Sequence, residues 1–111
     1  MVDICVIGGG PAGLNAGIVA KKLGASVLII DDNPVLGGQL IKQTHKFFGS
    51  KEHYCGIRGI DIAEILSEQV YQLGIEVLLN ATVIGYYDDD SIGVLKNDEL
   101  IQIKAKSYIF A

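Results

Sequence analysis

The stretch Val6-Ile7-Gly8-Gly9-Gly10-Pro11-Ala12-Gly13 constrains this chain more than any other. An apolar run from Ile4 to Ile7 stops at successive glycines, and a segment of helical character carrying alanine and leucine follows at once. The reading is strand, tight turn, helix. Gly8, Gly10 and Gly13 fill the template G-x-G-x-x-G, and each has its own physical task. Gly8 allows the tight turn, Gly10 lets a diphosphate approach the backbone, and Gly13 lets helix and strand pack closely. The free amides at the helix start face such phosphates with the positive end of the helix dipole behind them.

Glycines before a helix serve many turns, so the context decides. Gly17 and Gly24 continue the pattern, and a second apolar strand then ends in Asp31. A carboxylate at that point can accept hydrogen bonds from both hydroxyls of an adenosine ribose. Asp31 is the favoured ribose ligand and Asp32 a second candidate; the alternative for Asp32 and Asn33 is that they form the turn before Pro34.

The residues Gly8-Gly9-Gly10-Pro11-Ala12-Gly13, Asp31 and Gly37-Gly38-Gln39 resemble the pyridine nucleotide-disulphide oxidoreductase family. Its members bind FAD and a nicotinamide nucleotide in two Rossmann-like domains. The resemblance spans nearly the whole chain and is to the FAD domain. Its end, Tyr108-Ile109-Phe110-Ala111, is similar to the strand leading into the family's A-T-G segment. The resemblance implies FAD as cofactor, held by Gly8, Gly10, Pro11, Ala12, Gly13, Asp31 or Asp32, Gly38, Gln39, Val83 and Ala111. Gly38 and Gln39 would lie along the ribityl and diphosphate portion, unless Gly37-Gly38-Gln39 is a plain turn. Val83 would touch adenine through its backbone. The dithiol branch of the family carries a C-x4-C pair shortly after the G-G-Q segment. Here Leu40-Ile41-Lys42-Gln43-Thr44 has no cysteine, so no disulfide there can relay electrons. A complete member needs a second nucleotide domain, so the resemblance also implies a truncated chain whose partner is a missing nicotinamide-nucleotide domain or a partner subunit, with NAD(P) bound there.

The chain's 111 residues suffice for one domain with a core. A net charge of -4 and a pI near 4.9, with scattered basic residues, argue against nucleic acid as a partner. No apolar run reaches the length of a bilayer span and the chain opens directly on a strand, so no membrane anchor or cleaved signal is expected, and the cytoplasm is the expected location. Cys5 reads as a small buried apolar residue and Cys55 as a loop thiol. With His45 and His53 they have no metal-ligand spacing, so no metal site is expected. Half the residues are hydrophobic and a further 14 are glycine, above the usual apolar share. The excess points to contact with a missing domain, the isoalloxazine ring or a second copy, hence self-association.

The expected fold is α/β: a Rossmann-like doubly wound parallel sheet with a three-stranded antiparallel β-meander as crossover. The FAD-binding domain covers 1-111, its parallel βαβ core 1-80 plus 107-111, and the meander 81-105. Val2 to Ile7 forms the first strand, Pro11 to about Leu23 a helix closed by Gly24, and Ser26 to Asp31 the second strand. Gly59 to Leu73 reads as an amphipathic helix with Ile62, Ile65, Leu66, Val70 and Leu73 on its apolar stripe, and Ile75 to Leu79 as the third strand. The meander takes Ala81–Tyr87, Ile92–Lys96 and Leu100–Lys104, separated by acidic turns, before a last strand Ser107–Ala111. Asp88-Asp89-Asp90 reads as a solvated turn rather than a cation site. Between Pro34 and Tyr54, Lys42 and His45 are placed to stabilise a reduced flavin electrostatically or simply form a solvated basic loop, and Phe47-Phe48 cover the ring or pin the loop.

Three functions follow as expectations. The first is the FAD-binding portion of a flavin-dependent oxidoreductase, with NAD(P)H as partner or as a flavin subunit of an amine or amino-acid dehydrogenase or oxidase. The second is a non-catalytic dinucleotide-binding module, and the third an NAD-binding dehydrogenase domain. No catalytic residue can be named from the sequence.

Overall fold

A computed structural model describes residues 1–36 and 59–111. Among these, β1 (Val2–Ile7) leads into α1 (Pro11–Lys22), β2 (Val27–Ile30) follows, and α2 (Gly59–Gln72) precedes β3 (Glu76–Leu78). Three further strands close the chain: β4 (Ala81–Tyr86), β5 (Ser91–Lys96) and β6 (Glu99–Phe110). The strand order is β3-β2-β1-β6-β5-β4. β3, β2, β1 and the second half of β6 run parallel, while β4, β5 and the first half of β6 pair antiparallel.

The central strands are apolar on both faces because both faces are covered. Val6, Val27 and Ile29 pack with Leu14 and Ile18 of α1 and with Leu66 and Val70 of α2. Their neighbours along the same strands, Cys5, Leu28 and Ile30, turn to the other side and pack with Ala81, Ile92, Val94 and Ala105 of the meander. Two described helices therefore cover one face and the antiparallel strands the other. Burial in this layer raises the Cys5 thiol pKa to about 11, so Cys5 is an inert apolar residue, as its sequence setting predicts.

Both helices keep the expected boundaries to within a residue. Ile65, expected on the stripe of α2, is instead 44 % exposed. The stripe's centre runs through Leu66, Val70 and Leu73, and Ile65 falls on its flank.

The largest difference from expectation is β6. The sequence reading has Leu100–Lys104 and Ser107–Ala111 as two strands; the structure runs them into a single strand, Glu99–Phe110. Lys104 is the last residue opposite β5, pairing Ser91, and Ala105 the first opposite β1, pairing Val2. At this handover the amide of Ala105 donates to the Tyr108 hydroxyl at 3.0 Å. That hydroxyl in turn donates to the carbonyl of Asp90 in the β4–β5 turn. The small side chain of Ala105 is buried in the meander layer, so the strand passes from one sheet to the other without a break.

The acidic turns of the meander have structural tasks. Asn97 and Asp98 both adopt positive φ, 51° and 63°, giving the two-residue hairpin between the paired Lys96 and Glu99. In the other turn Asp89 accepts from the amide and hydroxyl of Ser91, and Asp90 sits at φ 66° and accepts from the Tyr86 hydroxyl.

Candidate functional site

The carboxyl ends of the parallel strands meet where the order turns from β2-β1 to β1-β6. Open α/β sheets bind their ligands at such a switch point. Gly8 leaves β1 with φ 121°, a conformation glycine alone adopts without strain. A β-carbon there would also lie 2.6 Å from the carbonyl oxygen of Ala111 at the end of β6. On Gly13 a β-carbon would collide with the carbonyl oxygen of Gly8 and stand 3.3 Å from Val6 Cγ1, so α1 crosses hard against the strand it follows. Both glycines therefore do what their places in the template predict.

Gly10 is the N-cap of α1, extended at φ -77° and ψ -175°, and no side chain among the described residues caps the helix start. Pro11 stands at the first helical position, where its missing amide hydrogen costs nothing. The first turn carries no acidic residue, so its amides and the positive end of the dipole are open to an anion.

Asp31 follows β2 directly. Its main chain is fixed from both sides: its amide donates to the Leu78 carbonyl at 3.0 Å and its carbonyl accepts from Ala81 at 3.0 Å. Asn80, at φ 52°, makes the bend from β3 into β4 and donates its amide to the carbonyl of Asn33. The Asp31 side chain is only 7 % exposed. Oδ1 accepts from Asn33 Nδ2 at a long 3.4 Å, whereas the buried Oδ2 meets no donor among the described residues. Burial pushes the carboxyl above the usual carboxylate range and the charge of Asp32 adds to this, against the donors of Asn33. A buried carboxylate oxygen without a donor is costly unless a ligand supplies one.

Around these residues lies a cleft of about 250 Å³. Gly8, Asp31, Asp32, Val83 and Ala111 line it, so five of the residues singled out in the sequence come together from four strand ends and the turns beside them. Gly10, Pro11, Ala12 and Gly13 do not line it; they cap and open α1 just after Gly8, while Gly38 and Gln39, with Lys42, His45, Phe47-Phe48 and Cys55, lie outside the described residues.

Four lining residues escaped the sequence reading: Ile7, Ile30, Ala81 and Thr82. Ile7 and Ile30 carried a usable signal, since each is the last strand residue before a singled-out position and parallel strands point their carboxyl ends into the crevice. Ala81 and Thr82 carried none, because only the bend at Asn80 brings the start of β4 over the end of β2.

A family model described as FAD dependent oxidoreductase matches residues 3–61, more than half of the chain. The chain belongs to this family. It is 40% identical over 85 residues to a ferredoxin–NADP reductase of Pediococcus pentosaceus, across 76% of this chain and 26% of that protein. Relatives of this kind put it with the pyridine nucleotide-disulphide oxidoreductases that its glycine turn resembles. It is also 30% identical over 95 residues to the sarcosine oxidase subunit alpha of Rhizobium meliloti, across 85% of this chain and 9% of that one. Among solved structures, an L-proline dehydrogenase from P. horikoshii superposes with a TM-score of 0.83 at 26% identity, over 99% of this chain and 22% of its own. The chain thus spans about a quarter of the length of the ferredoxin–NADP reductase and less of the other two.

Proposed function

We propose that this chain is the FAD-binding portion of a flavin-dependent oxidoreductase that passes a hydride or electron pair through the flavin, with NAD(P)H as partner in the intact protein. The observation that carries it is the buried oxygen of Asp31 that meets no donor among the described residues, at a cleft that also reaches Gly8 of the glycine turn and Val83. In this reading Asp31 accepts from the ribose hydroxyls with Asp32 beside it, and the backbone of Val83 meets adenine. The turn from Gly8 through Gly10 to Pro11, Ala12 and Gly13 cradles the diphosphate. Ala111 closes the cleft next to Gly8, and Gly38 and Gln39, which lie outside the described residues, are assigned to the ribityl and diphosphate portion. A cleft of about 250 Å³ suits the adenosine end of the cofactor. The bound flavin supplies the redox chemistry; the chain's residues bind and orient it.

The domain reading is part of the proposal: residues 1-111 form one FAD-binding domain, with 1-80 and 107-111 as parallel core and 81-105 as meander. A cytoplasmic location belongs to it as well. A further nicotinamide-nucleotide domain, a partner subunit or a second copy would meet the exposed apolar side chains Val19, Leu23, Ile84, Leu95, Leu100 and Phe110.

Titration with FAD followed by desalting tests the reading. A flavin absorption band that stays with the protein, and is lost in Gly10→Val because a branched side chain fills the diphosphate position, is the expected result. A chain that keeps NAD and not FAD, or a Gly10→Val variant that retains flavin undiminished, refutes it.

A second reading, the flavin subunit of an amine or amino-acid dehydrogenase or oxidase, is favoured by the likeness to sarcosine oxidase subunit alpha and L-proline dehydrogenase. In the intact protein, bleaching of the flavin band by NADH or NADPH supports the first reading and bleaching by a secondary amino acid the second. A band bleached by neither leaves the non-catalytic module.

A further inference from the structure

Gly9 occupies a position the glycine template leaves free, so nothing in the motif asks for glycine there. The structure supplies a reason. A β-carbon on Gly9 would lie 2.7 Å from Asp31 Oδ2, 3.0 Å from Asp31 Cγ and 3.0 Å from Leu36 Cδ2. The nearest atom is the same carboxylate oxygen that is buried without a donor among the described residues. Asp31 cannot yield by moving its main chain, which is held at its amide by Leu78 and at its carbonyl by Ala81. Only side-chain rotation remains, and it would break the long contact from Asn33 Nδ2 to Oδ1.

From this we infer that Gly9 is a positioning residue: its missing side chain lets Asp31 lay its carboxylate against the glycine turn, in the orientation that receives the ribose diol. The inference rests on the FAD reading above. It is the absent side chain of Gly9 that matters here, and it acts through Asp31 rather than by contact with the ligand. A methyl group on Gly9 turns the carboxylate away, and the ribose hydroxyls then lose their acceptor.

The test is a double-mutant cycle on the intact protein, read as dissociation constants for FAD and for ADP. ADP carries the adenosine and both phosphates without the ribityl and flavin half, so its response isolates the end of the site that Asp31 and the glycine turn form. Asp31→Ala is expected to weaken both ligands by roughly 10- to 100-fold, as loss of hydrogen bonds to a charged acceptor does. Gly9→Ala is expected to weaken both by about fivefold or more, and the double variant to match Asp31→Ala to within about twofold, because one change acts through the other. Simple damage to the turn would instead multiply the two losses, and that outcome overturns the inference. So does a Gly9→Ala variant that binds as the unaltered protein does. Should Gly9→Ala fail to fold, Gly9→Ala/Leu36→Ala removes the second crowded contact and leaves the carboxylate alone against the methyl group; the same comparison with Asp31→Ala then decides. If the unaltered protein binds neither FAD nor ADP, the FAD reading falls and takes this inference with it.

Discussion

Two aspartates mark the two ends of the parallel sheet, and the chain treats them in opposite ways. Asp3, near the start of β1, is fully partnered. Its Oδ2 accepts from the Ser26 amide at 2.9 Å, its own amide donates to the Ser26 hydroxyl at 2.8 Å, and Lys106 stands 3.2 Å from Oδ1. The Ser26 amide and then Lys106 hold its carboxyl below the usual carboxylate range. Asp31, just past the end of β2, is buried, has one oxygen without a donor among the described residues and is held above that range. Asp3 is a clasp between β1, β2 and β6. Asp31 is a group kept in a poor environment, and it is the one that borders the cleft. An acid left with an oxygen unsatisfied by the described residues marks the cleft end of this sheet more clearly than the acid's place in the sequence does.

The turn that shapes the cleft end is the most sensitive point of this contrast. Gly13→Ala drives a β-carbon into the Gly8 carbonyl, and backbone against backbone has no easy relief. A loss of about 3 kcal/mol in urea denaturation is expected, together with loss of flavin retention. A variant of unaltered stability would mean that α1 can shift along the sheet, and the cleft with it.

Asp31→Asn addresses the acid itself. Flavin affinity should fall by about 1.5–3 kcal/mol, measured by fluorescence titration, while the ligand-free protein becomes no less stable at neutral pH. The sign follows from the raised carboxyl. The folded protein binds more protons than the unfolded chain just above the ordinary Asp range, so ligand-free stability falls as pH rises through that window. Ribose hydroxyls donate to the ionised form, so flavin binding should tighten over the same rise. Both trends should vanish in Asp31→Asn, and a pH-dependent affinity that survives in it would move the ribose contact to Asp32.

Asp3→Ala should have the smallest effect, a modest loss of stability with flavin affinity unchanged. Here the carboxyl is lowered, so its contribution is complete above the ordinary Asp range and lost as pH falls through the depressed value. Salt should shrink it further, since Lys106 is 65% exposed. A flavin affinity that drops in Asp3→Ala would show that the two ends of the sheet are coupled.

Much of this was legible in the chain because it is local. The apolar run to Ile7, the break at Gly8 and Pro11 at the first helical position announce strand, turn and helix within a dozen residues. The acid after β2 is found by counting, and the meander by its acidic turns. Spacing alone makes the stripe of α2 one residue too wide at Ile65, since it does not say how much of a helix flank its neighbour covers. Ala81 and Thr82 gave no sign of lining the cleft, because the positive φ at Asn80 that places them is a property of the folded bend.

From the sequence alone it follows that a glycine turn joins the first strand to a helix and that an acid ends the second strand, because glycine geometry and strand-end chemistry act over a few neighbouring residues. Only the tertiary structure decided that β6 is a single strand shared by two sheets, that the meander covers the face opposite the helices, and that Gly9 and Asp31 press together. Those facts depend on contacts between residues 13 to more than 100 positions apart, such as Ser91 with Lys104, Gly9 with Asp31 and Gly8 with Ala111, and no local pattern encodes such distances.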